Sequence, residues 1–124
     1  MSGYALVIDD NRETADTLVK ILGLLGYQAQ AAYGPRSGLE SIARRVPDVI
    51  LLDVHMQGVE GEEVCQYVRR DPRTATTPIL AISSDIQPEV VDRMRKAGAN
   101  GFLAKPVETD ELERVLRDVR RLTG

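Results

Sequence analysis

The chain has 124 residues, of which 43% are hydrophobic, 28% charged and 4% aromatic, with 10 Gly and 6 Pro. This is ordinary globular usage for one compact domain, 1–124, and it excludes disordered, collagen-like and low-complexity proteins. The 16 Lys plus Arg against 19 Asp plus Glu give a net charge of −3, which lacks the basic footprint of a direct nucleic-acid binder.

The first apolar run, Ala5-Leu6-Val7-Ile8, predicts a strand halted by Asp9-Asp10. With Tyr4 it is the longest unbroken apolar run, far short of the roughly 20 residues that cross a bilayer, so no membrane insertion is expected. The start, Met1-Ser2-Gly3-Tyr4, has no cationic region of the kind that opens a secretory signal. Next, Ala15, Leu18, Val19, Leu22 and Leu25 recur at helical spacing, with Asn11 as the expected N-cap and Gly26 as the stop. Tyr27 to Ala32 is a weaker strand. Pro35 opens a second helix with Leu39, Ile42, Ala43 and Val46 expected inward.

Pro47 leads into Val49-Ile50-Leu51-Leu52, a third strand stopping at Asp53, and Val54 to Glu60 is expected to be a loop carrying Gly58. Gly61 starts a helix burying Val64 and Val68, and Asp71-Pro72 ends it. The fourth strand, Ile79-Leu80-Ala81-Ile82, stops at Ser83-Ser84. A helix from Pro88 turns Val90, Val91, Met94 and Ala97 inward and ends at Gly98. Gly101 to Ala104 is the last strand, stopping at Lys105-Pro106, and Leu112, Val115, Leu116, Val119 and Leu122 line the final helix. Arg114, Arg117, Arg120 and Arg121 alternate with Glu111, Glu113 and Asp118, the pattern of a solvated helix face. The lone Cys65 cannot close an internal disulfide, in keeping with a reducing cytoplasm, and its helical position predicts packing.

Strands written as continuous apolar runs are buried on both faces. Five strands, most of them such runs, alternating with helices give an α/β fold, a doubly wound parallel sheet with helices on both sides. In such sheets ligands bind beyond the carboxyl ends of the strands, where strand order reverses. Asp9, Asp10, Asp53, Ser83 and Lys105 all follow directly on apolar runs and so stand at that edge. If the first and third strands are neighbours, three carboxylates converge. They need protonation or a hard divalent cation, for which carboxylate oxygens suit magnesium. Such a site supports phosphoryl transfer to Asp53 as nucleophile, with the metal, Lys105 and the Ser83 hydroxyl gathering the phosphoryl oxygens.

Val7-Ile8-Asp9-Asp10-Asn11, Leu51-Leu52-Asp53-Val54-His55-Met56, Ile79 to Ser83 and Gly98 to Pro106 together resemble the receiver domain of two-component response regulators. The likeness covers the whole chain, and the four motifs in this order are specific. It implies a flavodoxin-like fold with strand order 2-1-3-4-5, an order that the chemotaxis regulator exemplifies. It further implies that Asp53 is the phosphoacceptor and that Asp10, Asp53 and the His55 carbonyl ligate Mg2+, with Asp9 acting mainly through water. Lys105 would pair with the phosphoryl group across a cis Lys105-Pro106 peptide. Ser83 and Phe102 would form the switch, Phe102 rotating into the space Ser83 vacates. His55, Ser84 and Asp85 would tune the rate of phosphoryl loss, the His55 ring facing solvent.

Partners implied are a histidine kinase or histidine phosphotransfer protein and an unnamed downstream effector. Output, or a homodimer, would use the face of the fourth helix, fifth strand and fifth helix. No effector domain follows Leu122, which implies a stand-alone regulator or a receiver cut from a hybrid kinase or longer regulator. Gln57 stands where the family commonly has proline, Ser84 where Ala or Gly is usual, and Ser83 where Thr is commoner. None of these removes a required group. A haloacid-dehalogenase-like phosphatase is the alternative, but it calls for an Asp two places beyond the nucleophile, where this chain has His55. A flavin module would need a phosphate loop where Asp9-Asp10 stands, and a purely unphosphorylated interaction domain would not need the acidic site.

Overall fold

The computed structural model describes residues 3–123, with side chains through Val119, so the expectations for Arg120, Arg121 and Leu122 lie outside the described residues. The elements run β1 (Tyr4–Ile8), α1 (Arg12–Leu24), β2 (Gln28–Ala32), α2 (Pro35–Arg44), β3 (Val49–Asp53), β4 (His55–Met56), β5 (Val59–Glu60), α3 (Gly61–Arg70), β6 (Ile79–Ser83), α4 (Pro88–Ala97), β7 (Gly101–Ala104) and α5 (Thr109–Thr123). The five longer strands pair in parallel in the order β2-β1-β3-β6-β7. Counted over those strands alone, this is the expected 2-1-3-4-5.

Alternate residues along each central strand enter two separate cores. Leu6, Ile8, Ile50, Leu52, Ile79 and Ala81 pack on one face with Ile42 of α2, Val64 and Val68 of α3, and Val90 and Met94 of α4. Ala5, Val7, Val49, Leu51, Leu80 and Ile82 pack on the other with Leu18 and Leu22 of α1 and Leu112 and Leu116 of α5. A strand covered on both sides has no polar face, which is why these segments are unbroken apolar runs. Cys65 is fully buried in the first core, where desolvation pushes its thiol up to about 11 and leaves it a packing residue.

Helix ends follow local chemistry. Asn11 Oδ1 accepts the Thr14 N–H at 2.9 Å, and Gly26 and Gly98 take φ of 96° and 120° where α1 and α4 stop. Two expectations need correction. Ala43 and Val46 face solvent: Ala43 lies within α2 but off the stripe of Gly38, Ser41 and Ile42, and α2 ends at Arg44, so the extended Arg45 breaks the helical period before Val46. Gly38 and Ser41 are the small residues that face inward instead, and a Cβ on Gly38 would lie 2.7 Å from Ile8 Cδ1. The Val54–Glu60 segment is also not a plain loop: β4 and β5 pair antiparallel, with Gly58 at φ 81° in the turn.

Arg69, near the end of α3, ties three connections together. Its guanidinium donates to the carbonyls of Thr74, Thr77 and Gly98 and to Asn100 Oδ1, at 2.7–3.1 Å. Asn100 Oδ1 also accepts the Ile79 N–H at 2.8 Å, so the start of β6 and the end of α4 share one polar knot.

Candidate functional site

β1 is paired with β2 on one side and β3 on the other, so the chain reverses its direction of winding between β1 and β3. At the carboxyl edge there, Asp9 and Asp10 follow β1 and Asp53 is the last residue of β3. Each offers one carboxylate oxygen, and those oxygens lie within 4.8 Å of one another. Lys105, directly after β7, reaches in from two strands away. Its Nζ lies 3.2 Å from Asp53 Oδ1 and 2.9 Å from Asp9 Oδ2.

The electrostatics follow from burial. Asp9 and Asp53 are 0% and 4% exposed, whereas Asp10 is open to solvent. Desolvation, then the neighbouring Asp9 charge, raise Asp53 to about 6, against which Lys105 pulls downward. Burial alone would lower the Lys105 ammonium, but the carboxylates of Asp9 and Asp53 outweigh it and its pKa is raised. Asp9 Oδ1 accepts the Asn11 N–H at 2.9 Å. Asp9 Oδ2 lies at ion-pair distance from Lys105 yet has no hydrogen bond of good geometry among the described residues. A buried carboxylate oxygen left in that state, beside two more carboxylates and no soft donor, suits a hard oxygen-seeking cation such as magnesium.

The remaining expected residues ring this edge. Ser83, 1% exposed, ends β6, and its Oγ accepts the Asp85 N–H at 2.9 Å. Asp85 Oδ1 in turn accepts the Gln87 N–H at 3.1 Å, shaping the entry to α4, while Ser84 is exposed. The His55 ring faces solvent, with Nδ1 3.1 Å from Glu60 Oε2 across the β4–β5 hairpin. Phe102 is half-buried against the core formed with α4. The Lys105–Pro106 peptide is cis. Beyond Lys105 a cleft of about 330 Å³ opens, lined by Glu13, Thr17, Leu18, Ile21, Pro106 and Val107.

Residues 5–117 match the family model for the response regulator receiver domain. The chain belongs to the response regulator receiver family. It is 38% identical over 119 residues to the sensor histidine kinase AruS of Pseudomonas aeruginosa, covering 92% of this chain and 12% of that protein. It is 33% identical over 122 residues to the response regulator PleD of Caulobacter vibrioides, covering 98% and 27%. This receiver therefore spans less than a third of either relative. Among solved structures, the chemotaxis protein CheY4 of Vibrio cholerae superposes with a TM-score of 0.91 at 28% identity, covering 96% of this chain and 99% of that one.

Receiver domains act in two-component systems, in response regulators and in hybrid kinases, with histidine kinases as partners. They are signalling switches that bind magnesium at an acidic cluster of this kind. Nothing in these matches favours the haloacid-dehalogenase-like alternative. No helix among the described residues is long and apolar enough to cross a membrane.

Two features of this receiver's site were not evident in the sequence. The Gln57 main-chain N–H donates to Asp10 Oδ2 at 2.9 Å, a bond that no side-chain pattern announces. A Cβ on Gly61 would lie 2.5 Å from the Asp53 carbonyl oxygen, so the first residue of α3 packs directly on the backbone that carries Asp53. A glycine opening a helix beside a strand-end acid was the available signal for the second.

Proposed function

We propose that Asp53 accepts the phosphoryl group of a phosphohistidine borne by a histidine kinase or histidine phosphotransfer protein. An Asp53 oxygen forms the new P–O bond as the P–N bond breaks, and the electron pair of that bond stays on the imidazole. The observation that carries this reading is the Lys105 ammonium 3.2 Å from Asp53 Oδ1 and 2.9 Å from Asp9 Oδ2, beside a third carboxylate. Asp9, Asp10, Asp53 and the His55 carbonyl would hold magnesium, which when bound offsets the charge on the phosphoryl oxygens.

The chain's own residues do the rest. Burial keeps water from the Asp53 carboxylate, which with its pKa near 6 is still largely ionised at neutral pH and able to attack. Lys105 holds an equatorial phosphoryl oxygen by charge. Ser83 gives up the Asp85 N–H and donates its hydroxyl to another, and Phe102 turns into the space beside it. The change biases the face of α4, β7 and α5 between two states, which an effector or a second copy reads. His55, Ser84 and Asp85 border the phosphoryl group and set how fast water removes it. Residues 1–124 act as one such domain in the cytoplasm.

Intact mass before and after acetyl phosphate with magnesium tests the reading. The wild type gains the mass of one phosphoryl group and Asp53→Asn gains none. Full labelling of that variant overturns the assignment.

A further inference from the structure

The β4–β5 hairpin pairs His55 with Glu60 and Met56 with Val59, leaving Gln57-Gly58 as its turn. Gly58 has φ 81° while Gln57 does not have a positive φ, the signs of a type II turn. That turn brings the Gln57 N–H to within 2.9 Å of Asp10 Oδ2, across 47 residues of sequence. Asp9 is held in the same manner, its Oδ1 accepting the Asn11 N–H at 2.9 Å. Each of the two acids after β1 thus has one oxygen on a main-chain amide, and Asp9 has its other oxygen 2.9 Å from Lys105 Nζ.

We propose that the Gln57 main-chain N–H is a positioning donor for Asp10, fixing that exposed carboxylate before magnesium arrives. An exposed aspartate otherwise loses rotamer freedom when it takes up a cation, and a fixed amide partner removes that loss in advance. The donor belongs to the backbone, so the identity of the side chain at position 57 is immaterial unless the residue lacks an N–H. Proline alone lacks one, and proline also suits the first central position of a type II turn. Gln57→Pro therefore deletes the bond and keeps the turn, while Gln57→Ala keeps both.

The inference rests on the phosphoacceptor reading with its magnesium site. Calorimetric titration with magnesium chloride is expected to give Gln57→Ala the wild-type affinity and Gln57→Pro an affinity roughly tenfold weaker. In metal-free protein, hydrogen exchange of the Gln57 amide is expected to speed up several-fold in Asp10→Ala. This second measurement decides the matter if Gln57→Pro does not fold. Equal affinity of Gln57→Pro and wild type, an equal loss in Gln57→Ala, or unchanged exchange at Gln57 each overturns the inference. Acetyl phosphate labelling separates the two ideas. A wild type that takes no label brings down the phosphoacceptor reading and this inference with it, whereas a labelled wild type with indistinguishable variants brings down only this one.

Discussion

Lys105 and Asp53 are 52 residues apart in sequence and 3.2 Å apart in the fold, Nζ to Oδ1. The same ammonium lies 2.9 Å from the fully buried Asp9 Oδ2, so one cation serves two carboxylates in a largely dry site. Removing it leaves both acids without a counter-charge. In metal-free buffer at pH 7, Lys105→Met is expected to lose about 1–3 kcal/mol of stability, below the cost of breaking a fully buried pair because Lys105 is partly exposed. Urea denaturation reads this. The loss shrinks at pH 5, where Asp53, already raised to about 6 by burial, takes up a proton. An equal loss at both pH values would sink the charge argument.

Asp53 makes a second prediction with a definite sign. Its folded pKa is raised to about 6 by burial and then by Asp9, above the unfolded value near 3.9. Between those values the folded chain binds more protons, so this group's contribution is full at about pH 4 and lost as pH rises through 6. Asp53→Asn has no such loss. Without magnesium, the variant is expected to be more stable than wild type at pH 7 by up to about 3 kcal/mol, with the gap closing towards pH 4. Calorimetric melts at several pH values check it, and a gap independent of pH refutes it.

The central strands and the edge they end on were legible because the sequence writes them in a code with one cause. Ile50 and Leu52 face one core and Leu51 faces the other, so no polar residue interrupts the run until Asp53 at its end. Asp9, Ser83 and Lys105 stand out on the same ground, and Asn11 and Gly98 mark helix ends by their own chemistry. The β4–β5 hairpin was not legible, since two-residue strands are too short to show a period. Val46 kept the helical period after the helix itself had stopped at Arg44. Arg69 looks like Arg70 beside it in sequence, and only the fold turns one to buried carbonyls and the other to water. Hydrogen bonds given by the main chain, such as Gln57 to Asp10, leave no trace in residue type.

Gly61 links helix packing to the site. Its absent Cβ would meet the Asp53 carbonyl oxygen at 2.5 Å and Val54 Cα at 2.8 Å, both backbone atoms that cannot swing aside. Its N–H also donates to the Val54 carbonyl at 2.6 Å. Ala is the better helix former, so propensity alone predicts a gain of up to about 1 kcal/mol. The contact predicts the reverse: Gly61→Ala must push α3 away or shift the end of β3, at a cost of about 1–3 kcal/mol. Because the displaced backbone carries Asp53, acetyl phosphate labelling slows as well. A more stable Gly61→Ala with the wild-type labelling rate would show that the contact relaxes freely.

Arg69 allows local magnitudes to be compared within one protein. Its half-buried guanidinium serves the carbonyls of Thr74, Thr77 and Gly98 together with Asn100 Oδ1. Desolvation lowers its pKa, which is the mark of a charge taken partly out of water. Arg69→Met keeps an aliphatic stem against Gly98 but strands those acceptors, at an expected cost of about 2–4 kcal/mol. Arg69→Lys recovers little of it, since one ammonium cannot span acceptors that a planar fork reaches at once. The exposed Lys96–Asp92 pair, at 3.0 Å, supplies the contrast. Its removal by Lys96→Met is expected to change stability by less than about 0.5 kcal/mol, as exposed helix pairs do. Urea midpoints with unchanged m values read all three variants on one scale. If Arg69→Met costs no more than Lys96→Met, the polar knot joining α3, β6 and the end of α4 does not hold those elements together.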